Sequence, residues 1–270
     1  MSERYCVIGN PIAHSKSPLI HAAFGAATGQ NIDYGRCLAP LDGFAATVRE
    51  LIAQGYRGAN VTVPFKLEAA RLATRLAPRA QAAGAVNTLI FAEGEIVGEN
   101  TDGPGLVADI VRNAGVALAG KRILLLGAGG AARGALLPLL LQAPRQIVIA
   151  NRTLATAEQL TQDFAAHAAL LSVCAFANLE GSFDVVINAT SASLGADVPP
   201  IPGSVFHPGT LALDMMYGNK PTVFMDFAAG HGASVRDGLG MLVEQAAEAF
   251  ALWRGVRPDT AQVLTSMRQP

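Results

Sequence analysis

Charge is scarce in this chain of 270 residues: 15% are Asp, Glu, Lys or Arg, the net charge is −1, and no run of Lys or Arg occurs. A nucleic-acid binder needs a basic footprint to release counterions from phosphates, so that partner class is excluded. Cysteine is scarcer still. Cys6, Cys37 and Cys174 are odd in number, scattered and in no CxxC pair, which rules out a disulfide framework and predicts buried free thiols in a cytoplasmic protein. The five histidines show no ligand spacing, His14 and His21 being the nearest pair, and no metal site is expected. Long apolar runs are missing too. The leucine-rich stretch is cut by Arg122, Arg133 and Arg145, and no segment reaches the roughly 18 residues of a membrane span. The opening MSERYCVIGNP goes straight into a strand and lacks the shape of a signal peptide.

What the chain does have is alternation. "RYCVIG" reads as a strand, and Ser17-Pro18 opens a helix to about residue 28, with Ser as N-cap and Pro at N1. "YGRCLA" is a second strand, followed by a helix capped by Asp42 and running to about Gln54. "GANVTV" is a third, then a helix from about Lys66 to Leu76; "AVNTLIF" and "EIVGEN" are two more strands. This order predicts an α/β fold with a mostly parallel sheet and helices on both faces. A second unit starts near residue 121, where "KRILLLGAGGAARGALLPLLL" reads as buried strand, glycine turn and helix. "RQIVIANR", a helix at about 153–167, "FDVVINAT" and "TLALDMMY" follow. Two α/β domains are expected, joined near the loose "ENTDGPG".

Gly127-Ala128-Gly129-Gly130-Ala131-Ala132 fits G-x-G-x-x-G/A between a strand and a helix. Gly127 permits the tight turn, Gly129 lets backbone approach a pyrophosphate, and Ala132 allows close helix–strand packing. The helix N-terminus then offers unsatisfied N–H groups to phosphates. An NAD enzyme would carry Asp or Glu at the end of the next strand, to accept bonds from ribose hydroxyls. Here that strand ends in Asn151-Arg152-Thr153. Without a carboxylate to repel it, a 2′-phosphate fits the Arg fork, and NADP is favoured. Read alone, Arg152 is also compatible with a plain surface arginine.

An oxidoreductase acting on a carbinol needs a group that gives and takes a proton at the carbinol oxygen. Lys66 is the only charged residue between Arg57 and Glu68, and it stands just past the break that Pro64 puts on a β-branched strand. A solvated lysine opening a helix would also look like this. Asp102 in "ENTDG" lies at the domain junction, and a Lys–Asp pair could pass a proton while keeping the site near neutral. Asn87 in "AVNT" offers a donor and an acceptor to substrate hydroxyls. Ser15 and Ser17 in "HSKSP" stand where a helix start could hold a small carboxylate; Ser17 also reads as a simple cap.

Taken together, "GNPIAHSKSP", "GANVTVPFK", "GAVNT", "NTDG", "GAGGAAR", "NRT", "INATS" and "DGLGMLVEQAAEAF" resemble the shikimate/quinate dehydrogenase family, in order and from about residue 5 to 260. The resemblance implies NADPH-dependent reduction of 3-dehydroshikimate to shikimate in the pathway to chorismate and aromatic amino acids. It implies a substrate-binding α/β domain (1–102), a Rossmann-type NADP domain (103–236) and C-terminal helices (237–270) that pack back on the first domain. Lys66 and Asp102 would form the catalytic pair. Ser15, Lys16, Ser17 and Thr62 would meet the substrate on its carboxylate side, and Asn87, Tyr217 and Gln245 its ring hydroxyls. Gly127, Ala128, Gly129, Gly130, Ala131, Asn151, Arg152, Thr153, Thr190, Met215 and Gly238 would line NADP. The expected partner is this small substrate, with no nucleic acid and no membrane; oligomeric state is not legible, a homodimer being the candidate. Two positions depart from the family pattern: Thr156 stands where many NADP-using members have a second basic residue, and Pro78-Arg79 where many have an acid. The rival readings are a dehydrogenase that also takes quinate and a non-catalytic NADP-binding regulator of the same fold.

Overall fold

The computed structural model describes residues 2–195 and 197–268 and divides into two compact units. The first runs to Gly105 and resumes at Leu242; the second is Leu106–Met241.

The first unit holds β1 (Glu3–Gly9), β2 (Ile32–Leu38), β3 (Tyr56–Val61), β4 (Arg75–Leu76), β5 (Thr88–Ala92) and β6 (Glu95–Glu99), in the sheet order β2-β1-β3-β5-β6-β4. Between them lie α1 (Ser17–Thr28), α2 (Phe44–Ala53), α3 (Lys66–Leu72) and α4 (Pro78–Ala83). The sheet is mostly parallel, as expected, with β5 the one exception: it runs antiparallel to both β3 and β6. The cause is local: Glu93 and Gly94, at φ 41° and 84°, make a two-residue turn, and such a turn can join only antiparallel strands.

Other boundaries move for equally physical reasons. The helix after Lys66 stops at Leu72 rather than at residue 76, because the Thr74 amide donates to the Ile96 carbonyl at 2.8 Å and the Thr74 hydroxyl accepts from the Ile96 amide at 2.9 Å. Those bonds pull Arg75-Leu76 into the sheet. Ser17 is the first helical residue of α1 and not its cap; Lys16 takes that place, and no side chain caps the helix. Gly43, not Asp42, precedes α2. Cys6 is buried as expected, whereas Cys37 and Cys174 are partly exposed.

α5 (Asp102–Ala108) leads through a π-helical turn at Asp109–Asn113 into the second unit. Its sheet comprises β7 (Arg122–Leu126), β8 (Gln146–Ala150), β9 (Leu171–Cys174), β10 (Val185–Asn188), β11 (Leu211–Asp214) and β12 (Ser234–Arg236), in the order β12-β11-β10-β7-β8-β9 and parallel throughout. α6 (Gly130–Leu140), α7 (Leu154–Asp163) and α8 (Val223–Gly230) complete the unit. This is a doubly wound sheet whose strand order reverses between β7 and β10, the place where ligands of such folds lodge. The helix expected to reach residue 167 ends at Asp163 and continues as a 3₁₀ turn. β9 and β12 are short and were not legible as strands.

α9 (Leu239–Arg254) and α10 (Ala261–Arg268) close the chain, and from Leu242 onward they belong to the first unit. There Ile20 and Phe24 of α1 pack on Val243, Ala246, Ala247 and Phe250 of α9 and Val263 of α10. On the other face Cys6, Ile8, Ala59 and Val61 meet Phe44, Val48 and Leu51 of α2, with Phe65 and Ala69. Period-2 alternation of the strands thus feeds two cores. In the second unit Leu124, Leu126, Val148 and Val186 join Phe183, Phe206 and Phe224 in one core, while Ile123, Leu125, Ile147 and Ile187 are also fully buried. Burial of both parities is what a parallel sheet covered on both faces requires.

Candidate active site

Lys66 is the first residue of α3, where the helix dipole is positive. That end disfavours a cation by about 0.3–1 kcal/mol, so the lysine needs a compensating charge. It has one: Lys66 Nζ lies 2.6 Å from Asp102 Oδ2, at the start of α5. The two side chains are 33% and 23% exposed, open enough to be reached and closed enough for the pair to hold. Phe65 explains the aim of Lys66. Its ring is buried and stacks on Phe44 at 5.0 Å, which fixes one side of the junction. The Lys66 carbonyl accepts the Val86 amide at 2.9 Å, tying the lysine to the "GAVNT" stretch.

Asn87 holds the other carboxylate oxygen. Its Nδ2 donates to Asp102 Oδ1 at 2.9 Å, to Thr101 Oγ1 at 2.9 Å and to Gln245 Oε1 at 3.2 Å. Gln245, on α9, reaches this place because Gly105 has no side chain: a Cβ there would stand 2.6 Å from the Gln245 backbone nitrogen. Four residues singled out from the sequence, Lys66, Asp102, Asn87 and Gln245, are therefore joined by direct hydrogen bonds, two of them 158 positions apart.

The hydroxyl group lies along the first loop. Ser15 Oγ accepts from the Ser17 amide at 3.3 Å, and Arg36 grips the Ser15 carbonyl through Nε and Nη2 at 3.1 and 2.6 Å. Ser17 is buried and caps nothing; the Lys16 carbonyl starts the α1 hydrogen-bond ladder. Thr62 packs on the same loop, since its amide donates to the Ile8 carbonyl at 2.9 Å and the Asn10 amide to the Val63 carbonyl at 3.1 Å. Tyr217 follows β11 in the second unit and is 39% exposed, and burial of its phenol raises it above its ordinary value. Arg79 has an unrelated occupation. It donates to Glu99 through Nε and Nη2 at 3.2 and 3.0 Å and to Glu248 at 2.8 Å, so it braces β6 against α9 and is not available to a cofactor.

The glycine turn sits beyond β7. Gly127 has φ 100°, and a Cβ there would stand 3.1 Å from Thr190 Cγ2 and 3.3 Å from the Ala189 carbonyl, so its smallness serves the close passage of β10. Gly129 and Gly130 differ, because a Cβ on either would meet nothing within 4 Å. Protein packing does not demand glycine at these two exposed positions, and the space beside each is open. Thr190 is oriented by Asn188, accepting side chain to donating hydroxyl, at 2.7 Å. At the end of β8, Asn151 Nδ2 donates to the Thr153 carbonyl at 2.8 Å and Ala150 is followed by no carboxylate. Arg152 is exposed and, among the described residues, makes no hydrogen bond or ion pair. Gly238 stands against Met215, whose carbonyl oxygen would be 2.1 Å from a Cβ at that position. These residues fit a dinucleotide with a 2′-phosphate. Among the described residues no cluster of His, Cys, Asp or Glu could hold a metal ion, and no helix is long and apolar enough to cross a membrane.

Sequence reasoning missed the second layer around Asn87. Its Oδ1 accepts from the Thr101 amide at 2.8 Å and from Thr88 Oγ1 at 3.0 Å, and Asn100 Oδ1 accepts the Asp102 amide at 3.1 Å. A signal was present: "NT" occurs at 87–88 and again at 100–101, and β5–β6 pairing brings the two dipeptides side by side.

Comparison with known proteins bears on all of this. Residues 7–89 match the model of the shikimate dehydrogenase substrate-binding domain, residues 109–195 that of shikimate/quinate 5-dehydrogenase, and residues 238–268 that of the shikimate 5′-dehydrogenase C-terminal domain. A shikimate dehydrogenase (NADP(+)) of Herminiimonas arsenicoxydans is 63% identical over 99% of this chain and 98% of its own length. Among solved structures, an Ael1 enzyme from Pseudomonas putida superposes with TM-score 0.96 at 51% identity, covering 100% of this chain and 99% of that one. A shikimate 5-dehydrogenase from Thermus thermophilus, solved with NADP(H) and shikimate, gives TM-score 0.87 at 32% identity, with 98% of each chain covered.

Proposed function

The chain belongs to the shikimate dehydrogenase family, and on that premise we propose that Lys66 and Asp102 are its proton-handling pair. It is an oxidoreductase that catalyses the reversible, NADPH-dependent reduction of 3-dehydroshikimate to shikimate, a step of aromatic amino-acid biosynthesis. NADPH, when bound, supplies the hydride. Lys66 gives a proton to the carbonyl oxygen as it becomes a hydroxyl, and takes it back in the reverse direction. Asp102 holds the ammonium in place and offsets its charge. Ser15, Lys16, Ser17 and Thr62 hold the substrate carboxylate, while Asn87 and Gln245 take ring hydroxyls; Tyr217 is assigned to those hydroxyls on the resemblance alone. Gly127 to Ala131, Asn151, Arg152, Thr153, Thr190, Met215 and Gly238 are assigned to NADP. The proposed division of labour gives residues 1–102 to substrate, 103–236 to NADP and 237–270 to a return onto the first domain. We place the protein in the cytoplasm as a homodimer, which sedimentation in solution tests.

The observation that carries the reading is the 2.6 Å contact of Lys66 with an Asp102 carboxylate whose other oxygen is held by Asn87. The test is mutational. Lys66→Ala lowers kcat by on the order of 10²–10⁴, the range for a lost acid/base group, and leaves KM for NADP nearly unchanged. Asp102→Asn acts on the same step, so the double variant loses much less than the product of the single losses. Near-normal kcat in Lys66→Ala would sink the assignment, and fully multiplicative losses would show two independent residues.

A further inference from the structure

Behind the pair, Tyr34, Asn60, Thr88 and Asn87 are linked in a chain of hydrogen bonds within the first unit. Tyr34 Oη donates to Asn60 Oδ1 at 2.6 Å, Asn60 Nδ2 to Thr88 Oγ1 at 3.0 Å, and Thr88 Oγ1 to Asn87 Oδ1 at 3.0 Å. Asn87 Nδ2 then donates to Asp102 Oδ1, and Asp102 Oδ2 meets Lys66. The direction of every bond is settled by groups that cannot reverse. The Thr101 amide can only donate, so it holds Asn87 Oδ1 toward itself; the Asn87 carbonyl can only accept, so it holds Asn60 Nδ2 at 3.3 Å and leaves Asn60 Oδ1 to Tyr34. Asn60 and Thr88 face each other in β3–β5 register, and Asn60, Thr88 and Asn87 are 6%, 0% and 3% exposed, out of reach of replacement water.

The Tyr34 end of this chain of bonds is clamped by packing. The Tyr34 ring lies flat on His21 with centroids 4.1 Å apart and planes 7° apart, and Trp253 tilts against it at 6.3 Å. Burial raises the phenol well above its ordinary value, outweighing a hydrogen bond with the Ser17 side chain that lowers it, so it stays a donor. We propose that Tyr34 is a positioning residue for the reaction, acting through Asn60 and Thr88 to hold the Asn87 amide against Asp102 and so to keep Asp102 turned toward Lys66. The inference rests on the reading of Lys66 and Asp102 as the proton-handling pair. Without the phenol proton, Asn60 Oδ1 is buried without its donor; the amide shifts, Thr88 is released, and the support for Asn87 loosens.

The experiment is steady-state kinetics of the full chain with shikimate and NADP. Tyr34→Phe and Thr88→Val each lower kcat about tenfold, the scale of one buried hydrogen bond left unmade, with KM for NADP unchanged. Thr88→Ser, which keeps the hydroxyl, retains most of the wild-type kcat. In an Asn87→Ala background Tyr34→Phe adds less than about a twofold loss, because the chain of bonds is already cut. A kcat for Tyr34→Phe within about twofold of wild type, or a full tenfold loss in the Asn87→Ala background, overturns the inference. Should Tyr34→Phe not fold, the Thr88→Val and Thr88→Ser pair decides alone: equal kcat in both overturns it. Lys66→Ala is measured beside them. If it is crippled while Tyr34→Phe is normal, only this inference falls; if it is nearly normal, the underlying assignment falls and takes the inference with it.

Discussion

Arg152 is the residue that the proposed function assigns to the 2′-phosphate of NADP. It is exposed, makes no hydrogen bond or ion pair among the described residues, and follows a strand that ends without a carboxylate. A charge-assisted hydrogen bond contributes roughly 1.5–3 kcal/mol, and a 2′-phosphate could take two. Arg152→Ala therefore raises KM for NADP at least about tenfold and leaves KM for NAD almost unmoved; equal weakening of both cofactors would assign the residue to the fold or to adenine stacking. Ser17 argues for substrate choice in the same way. Its hydroxyl is buried, free of capping duty, and beside Ser15. Two small hydroxyls suit the in-plane carboxylate of shikimate but offer no partner to the extra C1 hydroxyl of quinate. Burying that group unpaired costs about 1–3 kcal/mol, or roughly 5- to 150-fold in kcat/KM. Shikimate is thus expected to be preferred over quinate at least about tenfold, with Ser17→Ala acting mainly on KM; comparable kcat/KM for the two acids would defeat this account.

At the scale of the element, α1 carries an oddity. His21 faces the core of the first unit with both ring nitrogens unpartnered, stacked among Tyr34, Phe250 and Trp253. Burial pushes it down to about 3 from an ordinary 6.5. The folded state therefore refuses a proton that the unfolded state accepts between those values, and stability is lost as pH falls below about 6.5. At pH 5 this one group removes about 2 kcal/mol relative to neutral pH. His21→Phe flattens that part of the profile, whatever its packing costs, and urea titrations at pH 7 and pH 5 read the difference. An unchanged slope in the variant would place the acid sensitivity elsewhere. Elements also show where local reading stops. Ser17-Pro18 made the start of α1 legible to within a residue, but nothing near Arg75-Leu76 announces a strand. Those residues are extended because Thr74 finds Ile96, 22 positions away.

For the molecule as a whole, the two units make different predictions for the two ligands. If NADP is held by residues of the Leu106–Met241 unit, saturating it at about 100 times its Kd raises stability by about 2.7 kcal/mol. Lys66→Ala keeps that stabilisation in a thermal-shift assay, whereas Arg152→Ala, at a tenfold or greater loss of affinity, loses about half of it or more at the same concentration. Loss of the NADP effect in Lys66→Ala would contradict the division of labour.

The alternation of strands and helices, the glycine turn after β7 and the missing carboxylate after β8 are local patterns, and the sequence by itself determined them: backbone sterics and a short phosphate contact act over a few residues. The antiparallel setting of β5 was legible in principle from Glu93-Gly94, whose turn chemistry decides it. Which side chain satisfies which was not. Asn60 meets Tyr34 across 26 positions, Arg79 meets Glu248 across 169 and Asn87 meets Gln245 across 158. A buried amide or guanidinium must find partners, but its own neighbours in the chain do not name them. Only the packing of the sheet between its helices decided that Arg79 is a brace and that Asn87 stands at the end of a chain of hydrogen bonds beginning at Tyr34.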